Sequence, residues 1–298
     1  MDILQSYVSN ILNPTYNEIS FIKSKLDSIS NIIKNNSSLS LKEIRYGGSF
    51  IKGTMLKYKP EADIVLVFNK KSGKSRNWNL LMDEVKRNLT NAFPEIAISK
   101  GENIALHLSM INSDFKVDFD IVPSYYVNSP IQVSMIKDSK VYQGITTIWH
   151  VEYVSKFKSL SNYIQTVMLL KDWKDEYHIP LKSFHLELIA ASAFTYRKPY
   201  DNQLVSSVDS CFREMQGMLD GRDIVPVDWE YYDDYANDKS HTTPCLIDPA
   251  NPRENLLDSM TKEESKYLKK IVLKSMNYLD NDNFKVVFDP NSRCSFWK

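Results

Sequence analysis

The segment Glu61-Ala62-Asp63-Ile64-Val65-Leu66-Val67-Phe68 constrains the fold more tightly than any other stretch of the chain. The apolar run from Ile64 to Phe68 has the composition of a buried strand. Side-chain direction repeats every two residues along a strand, so Glu61 and Asp63 share one face. A second strand pattern follows: Phe115, Val117, Phe119 and Ile121 alternate with Lys116, Asp118 and Asp120. If the two strands pair, Asp120 lies opposite Asp63 and brings a third carboxylate to the same surface.

Upstream, Gly47-Gly48-Ser49 precedes Glu61 by a short interval, with Ser49 twelve positions before it. Glycines lack a Cβ and let a backbone turn approach a ligand closely. Carboxylates on neighbouring strands supply hard oxygen ligands of the kind Mg²⁺ takes, and phosphoryl transfer by two ions needs such ligands to hold both metals about 3.5–4 Å apart. An isolated Asp-x-Asp at a strand end is ordinarily solvated. The glycine turn and the second acidic strand are what turn this pair into a candidate site.

Gly47-Gly48-Ser49, Lys52-Gly53-Thr54 and Glu61-Ala62-Asp63-Ile64-Val65 together resemble the signature of the DNA polymerase β-like nucleotidyltransferases. Within that superfamily the chain is most similar to the oligoadenylate synthetases, the cyclic GMP-AMP synthase-like receptors and the bacterial CD-NTases. Asp120-Ile121-Val122-Pro123 resembles the third-aspartate strand of the group. Leu169-Leu170-Lys171-Asp172-Trp173 and Lys182-Ser183-Phe184-His185-Leu186-Glu187-Leu188 resemble its second-lobe helices, and Leu246-Ile247-Asp248-Pro249-Ala250-Asn251-Pro252, ahead of Asn255, its Asp-Pro-x-x-Pro segment. One departure is the first acid, Glu61, where the synthetases commonly carry Asp. The extra methylene implies retained activity with a shifted metal geometry.

The resemblance implies an α+β, bilobal nucleotidyltransferase with a mixed-sheet lobe over residues 1–150 and a helical lobe over 151–298, joined by a long N-terminal helix. It implies that Glu61, Asp63 and Asp120 are catalytic and hold two Mg²⁺ ions, with Mn²⁺ as a substitute. Gly48 and Ser49 would bind the nucleotide on one side. Lys171 and Ser183 would hold its β- and γ-phosphates on the other, as an ammonium and a hydroxyl at a helix N-terminus suit phosphate oxygens. Phe184 would stack on a base, worth about 1–3 kcal/mol, although core packing explains an aromatic there equally well. The reaction implied is attack of a ribose hydroxyl on the α-phosphorus of a nucleoside triphosphate, ATP first among them. It releases pyrophosphate and makes a linear or cyclic oligonucleotide messenger in antiviral or antiphage signalling, read by an effector outside this chain. An RNA- or tRNA-tailing enzyme and an inactive nucleic-acid sensor are the alternatives.

Composition narrows the partners. Thirty-seven basic residues balance thirty-seven acidic ones, whereas a protein switched on by duplex nucleic acid draws affinity from a basic face. A double-stranded activator is therefore optional rather than required. Lys70, Lys71, Lys74 and Arg76, with Lys23, Lys25 and Lys34 on the first long helix, read as solvated faces. Cys211, Cys245 and Cys294 are scattered and signal neither disulfides nor zinc, and His241 with Cys245 reads as plain loop. No membrane-length apolar stretch or leader pattern stands out, so a cytoplasmic protein with no membrane partner is expected.

Along the chain, Asn13-Pro14 predicts a helix start, with Asn13 as cap, and Ile19, Ile22, Leu26, Ile29 and Ile33 form one apolar stripe ended by Asn35-Asn36-Ser37-Ser38. A helix is predicted from Trp78 to about Phe93, and a strand through Ile104, Leu106 and Leu108 that returns to the Asp120 strand by a turn at Asn112-Ser113. His107 reads as an ordinary strand residue. Helices are predicted over Phe157–Tyr177 and Ser183–Tyr196. The acidic aromatic run from Asp228 to Tyr235 fits either a wall beside a cleft or a packed loop.

Overall fold

The computed structural model describes residues 3–36, 39, 41–68, 78–100, 105–112, 115–128, 139–199, 203–227, 242–281 and 283–288. Lys70, Lys71, Lys74, Arg76, Ile104, Ser113, the run 228–235, His241 and Cys294 lie outside the described residues. The chain divides into two compact units, residues 13–152 and residues 1–12 with 153–298.

The first unit opens on α2, Tyr16–Lys34, which follows a short N-terminal helix α1, Ile3–Tyr7, of the other unit. The start of α2 is a correction: its cap is Thr15 rather than Asn13, and Pro14 precedes the helix. Thr15 Oγ accepts from the Glu18 amide at 3.3 Å while Glu18 Oε2 accepts from the Thr15 amide at 2.5 Å. This reciprocal box satisfies two orphan donors, which a proline one position earlier cannot do. Ile22, Leu26, Ile29 and Ile33 form the buried stripe, and Asn35 closes the helix.

Five strands form a mixed sheet in the order β1-β2-β5-β4-β3. They are β1 Leu41–Gly47, β2 Glu61–Phe68, β3 Ile98–Lys100, β4 Leu106–Ile111 and β5 Lys116–Tyr125. Only β2 and β5 run parallel; the other neighbours are antiparallel. On one face Ala62, Ile64, Leu66, Phe68, Leu106, Leu108, Val117, Phe119 and Ile121 are buried against α2 and against Trp78, Met82, Val85 and Leu89 of α4, Trp78–Ala92. Truncating one such buried aliphatic to Ala costs roughly 2–5 kcal/mol. The opposite face carries Glu61, Asp63, Asp118, Asp120, His107 and Ser109. Helix α5, Ser139–Ser155, covers its far end: a Cβ on Gly144 would meet Pro123 O at 2.7 Å, and Ile145 packs with Val127. The acids near the start of the parallel pair are left open.

The second unit is built from helices α6 Tyr163–Glu176, α7 Ser183–Tyr196, α8 Leu204–Leu219, α9 Lys262–Asp280 and α10 Phe284–Phe288, with α1 and a π-helical turn over Val8–Leu12. The predicted helix over Phe157–Tyr177 is shorter than expected, because residues 156–162 form turns and α6 begins only at Tyr163. Within the motif Leu169–Trp173, Asp172 accepts from Tyr7 Oη at 2.9 Å and Trp173 Nε1 donates to Ser275 Oγ at 3.0 Å, tying α1 and α9 to α6. The two-stranded hairpin of β6 Ile247–Asp248 and β7 Asn251–Asn255 holds the Asp-Pro segment. Buried Asn255 organises it, accepting from the Leu246 and Leu257 amides and donating to Pro244 O. Among the described residues, no helix is long and apolar enough to cross a membrane.

Candidate active site

Gly47 ends β1 directly opposite Asp63 on β2. A Cβ at Gly47 would overlap Thr147 Cγ2 of α5, so a larger residue forces Thr147 to shift. Gly48 follows with φ 71°, in the left-handed region that favours glycine, and opens α3, Gly48–Lys52. The chain leaves α3 at Gly53, and the Thr54 amide donates to Ser49 O at 3.0 Å. Ser49 is buried, and its Oγ has no hydrogen-bond partner among the described residues. A buried hydroxyl left without a partner costs roughly 1–3 kcal/mol; an anion at this turn would supply the acceptor.

The pairing of β2 with β5 sets Glu61 opposite Asp118 and Asp63 opposite Asp120. Glu61, Asp63 and Asp120 are all half-buried. Burial, then the charges of Asp120 and Glu61, push the Asp63 carboxyl up from 3.8 to about 6, while the buried Lys52 ammonium opposes the shift. Lys52 therefore belongs to the site, although the sequence presents it only as part of a glycine-containing turn.

On the other side of β5, His107 of β4 stands opposite Asp120, and its Nδ1 contacts Asp120 Oδ1. The sequence reading of His107 as an ordinary strand residue misses this contact, since one histidine in an alternating strand carries no spacing signal. Ser109 Oγ likewise donates to Asp118 Oδ1, and Lys116 Nζ lies 3.0 Å from the same carboxylate.

Lys171, Ser183 and Phe184 belong to the helical unit. Lys171 is buried on α6, whereas Ser183 and Phe184 are half-buried in the first turn of α7. The Lys182 amide donates to His185 Nδ1 at 3.2 Å, fixing that turn.

Whether the acids suit a metal is a question of donors and charge. Three carboxylates on adjacent strands are hard oxygen donors of the kind Mg²⁺ takes, and the Asp63 pKa, raised first by burial and then by the charges of Asp120 and Glu61, marks a carboxyl whose ionised form a cation would favour. Among the described residues no three His, Cys, Asp or Glu side chains are already grouped to hold a metal ion; Asp120 has one oxygen engaged by His107. Donor type and backbone register fit such an ion.

No protein-family model and no curated protein matches the chain. Solved structures do. CdnC of E. coli MS115-1, in a complex with HORMA-deltaN, superposes with TM-score 0.71 at 17% identity, over 99% of this chain and 94% of that one. The CD-NTase CdnG of Bradyrhizobium diazoefficiens, in complex with GTP, gives 0.63 at 12%, over 99% and 96%. Terminal uridylyl transferase 4 from Trypanosoma brucei with bound GTP gives 0.61 at 10%, over 94% and 97%. Likeness at such identities is a likeness of architecture, and it is consistent from one end of the chain to the other: this chain has the fold of the polymerase β-like nucleotidyltransferases.

Proposed function

We propose that the protein is a nucleotidyltransferase that joins nucleoside triphosphates, ATP among them, into a cyclic or linear oligonucleotide messenger, with release of pyrophosphate. The observation that carries this is the register of β2 on β5, which sets Asp63 opposite Asp120 on the open face beside Gly48 and Ser49. The solved structures of CdnC with ATP and of CdnG in complex with GTP, which share this fold, support nucleotide binding, and the antiphage role is proposed by analogy with them.

In this reading Glu61, Asp63 and Asp120 would hold divalent metal. Bound there, Mg²⁺, or Mn²⁺ in its place, would neutralise triphosphate charge and make the acceptor hydroxyl more acidic. Asp120 accepts the proton of the attacking ribose hydroxyl as the new P–O bond forms and the bond to pyrophosphate breaks. The Ser49 hydroxyl and the backbone at Gly48 receive phosphate oxygens. Lys171 and Ser183 hold the β- and γ-phosphates, and Phe184 stacks on a base. The protein acts in the cytoplasm, an activating duplex is not required, and the effector that reads the product is not part of this chain.

Terminal uridylyl transferase 4 supports a second reading, addition of nucleotides to an RNA 3′ end. One experiment separates the two. The purified protein is incubated with Mg²⁺ and radiolabelled ATP, GTP, CTP and UTP, with no nucleic acid, with duplex RNA or DNA, or with a single-stranded RNA acceptor. Phosphatase-resistant product without nucleic acid is the expected result. Label found only on the RNA acceptor would replace the messenger synthase by a tailing enzyme, and no product in any arm would leave the site a structural relic.

A further inference from the structure

We infer that His107 is a positioning residue for Asp120, which it holds by one carboxylate oxygen so that the other faces the reaction. The inference rests on the reading of Asp120 as the third carboxylate of the site. Its basis is the register of the central strand. Asp120 has Asp63 as its cross-strand neighbour on the β2 side and His107 as its neighbour on the β4 side. Directly opposite side chains on paired strands have Cβ atoms about 4.5–5.5 Å apart, close enough for imidazole and carboxylate to meet without reorganising the backbone.

His107 is also set on the correct face. Leu106 and Leu108 on either side of it are buried in the core under the sheet, so the period of the strand turns His107 to the open face. There its Nδ1 contacts Asp120 Oδ1, with the two side chains 46% and 47% exposed. An ionised carboxylate only accepts hydrogen bonds, so Nδ1 carries the proton. The neutral Nδ1–H tautomer and the imidazolium both meet that condition, and the contact does not depend on the charge of the ring. The next pair along the two strands has the same form, with Ser109 Oγ donating to Asp118. Each open-face acid of β5 is thus restrained by the residue across from it on β4.

The chemical consequence is directional. An aspartate carboxylate, carried on a single methylene, turns about its Cβ–Cγ bond unless one oxygen is tied. With Oδ1 engaged by His107, Oδ2 is the oxygen left for cation or acceptor hydroxyl. Partners of this outer-shell kind typically contribute about 10–100-fold to metal affinity or activity.

The test compares wild type, His107→Ala, His107→Asn, His107→Gln and Asp120→Ala in the full-length protein. Asn places its Nδ2 near where the His Nδ1 sits, whereas Gln reaches one carbon further and misses it. Mn²⁺ binding is measured by electron paramagnetic resonance on nucleotide-free protein, and kcat and KM are measured separately with ATP and Mg²⁺. His107→Ala is expected to lower kcat and Mn²⁺ affinity by about 10–100-fold with little change in the KM for ATP. His107→Asn is expected to restore most of both and His107→Gln little of either, at melting temperatures matched to wild type. His107→Ala within about twofold of wild type in both readouts, beside an inactive Asp120→Ala, would overturn the positioning role alone. So would higher activity in His107→Ala, or equal behaviour of the Asn and Gln variants. Full activity in Asp120→Ala would overturn the catalytic reading of the site and the role of His107 with it.

Discussion

Gly48 and Asp63 are packed so closely that a Cβ on the glycine would stand 2.7 Å from Asp63 Oδ2. The glycine turn and the first aspartate are therefore one structural unit, although they lie on separate elements of the chain. Gly48→Ala places a side chain at φ 71°, which costs about 1–2 kcal/mol, and also displaces the Asp63 carboxylate. A loss of about 2 kcal/mol or more in urea unfolding is expected, together with loss of activity. The displacement is checked by a double-mutant cycle: Gly48→Ala should be less destabilising in an Asp63→Ala background, where Oδ2 is gone. Equal costs in both backgrounds would show that backbone strain alone is responsible.

Ser49 separates stability from function. Its buried Oγ lacks a partner among the described residues, so Ser49→Ala removes an unsatisfied hydroxyl, and the protein without nucleotide should melt at the same temperature or higher. If the hydroxyl receives a phosphate oxygen, the same change deletes a charge-assisted hydrogen bond worth about 1.5–3 kcal/mol, which lowers kcat/KM about 10–100-fold. A fall in both melting temperature and activity would instead make Ser49 a folding residue.

Asp63 sets a pH dependence with a definite sign. Its pKa is about 6 in the folded protein against 3.8 ordinarily, raised first by burial and then by Asp120 and Glu61. Folding takes up a proton between those two values. The stability of metal-free protein attributable to this group is therefore full below about 4, falls as pH rises toward 6, and is flat above. Asp63→Asn should raise the melting temperature in EDTA at about pH 8 and have little effect at about pH 4. Because a bound cation needs the ionised carboxylate, Mn²⁺ affinity of the wild-type protein should weaken as pH drops below about 6. Melting curves from acid to mild alkali, with EDTA or Mn²⁺, check both statements.

The parts of the site legible in the sequence are those written in strand period. Alternation alone put Glu61 with Asp63 and Val117 with Phe119, and the expectation that Asp120 meets Asp63 agrees with the observed register. Contacts that depend on which strand lies next to which left no local trace. His107 came to the candidate site only when β4 lined up against β5, and Lys52, visible in the sequence as part of the Lys52-Gly53-Thr54 turn, showed its charge beside Asp63 only in the fold. The start of α2 was legible and misread: Thr15 and Glu18 have the spacing of a capping box, but the nearby Asn13-Pro14 gives a competing signal. The turns at residues 156–162 were hidden because apolar residues continue through them at helix-like intervals.

The helical unit has its own buried charge, and it provides a control for everything proposed about the acids. Glu214 of α8 is almost fully buried and accepts from Ser192 Oγ at 2.6 Å, from Arg197 Nε at 2.8 Å and from Arg222 at 2.5 Å. One carboxylate thus joins α7, α8 and the segment after α8. Glu214→Ala would strand two guanidinium groups and a hydroxyl around a cavity. Breaking a fully buried pair costs about 3–5 kcal/mol; both arginines are about one-third to one-half exposed and water can take up part of their charge, so a loss of roughly 2 kcal/mol in urea unfolding is expected. Glu214→Gln keeps the shape and part of the hydrogen bonding and should lose less. Mn²⁺ affinity at the carboxylates of the sheet unit should be unchanged in any Glu214 variant under conditions where it stays folded. If Glu214→Gln weakens Mn²⁺ binding as much as Asp63→Asn does, the metal is not held by the acids of β2 and β5, and the site must be sought elsewhere.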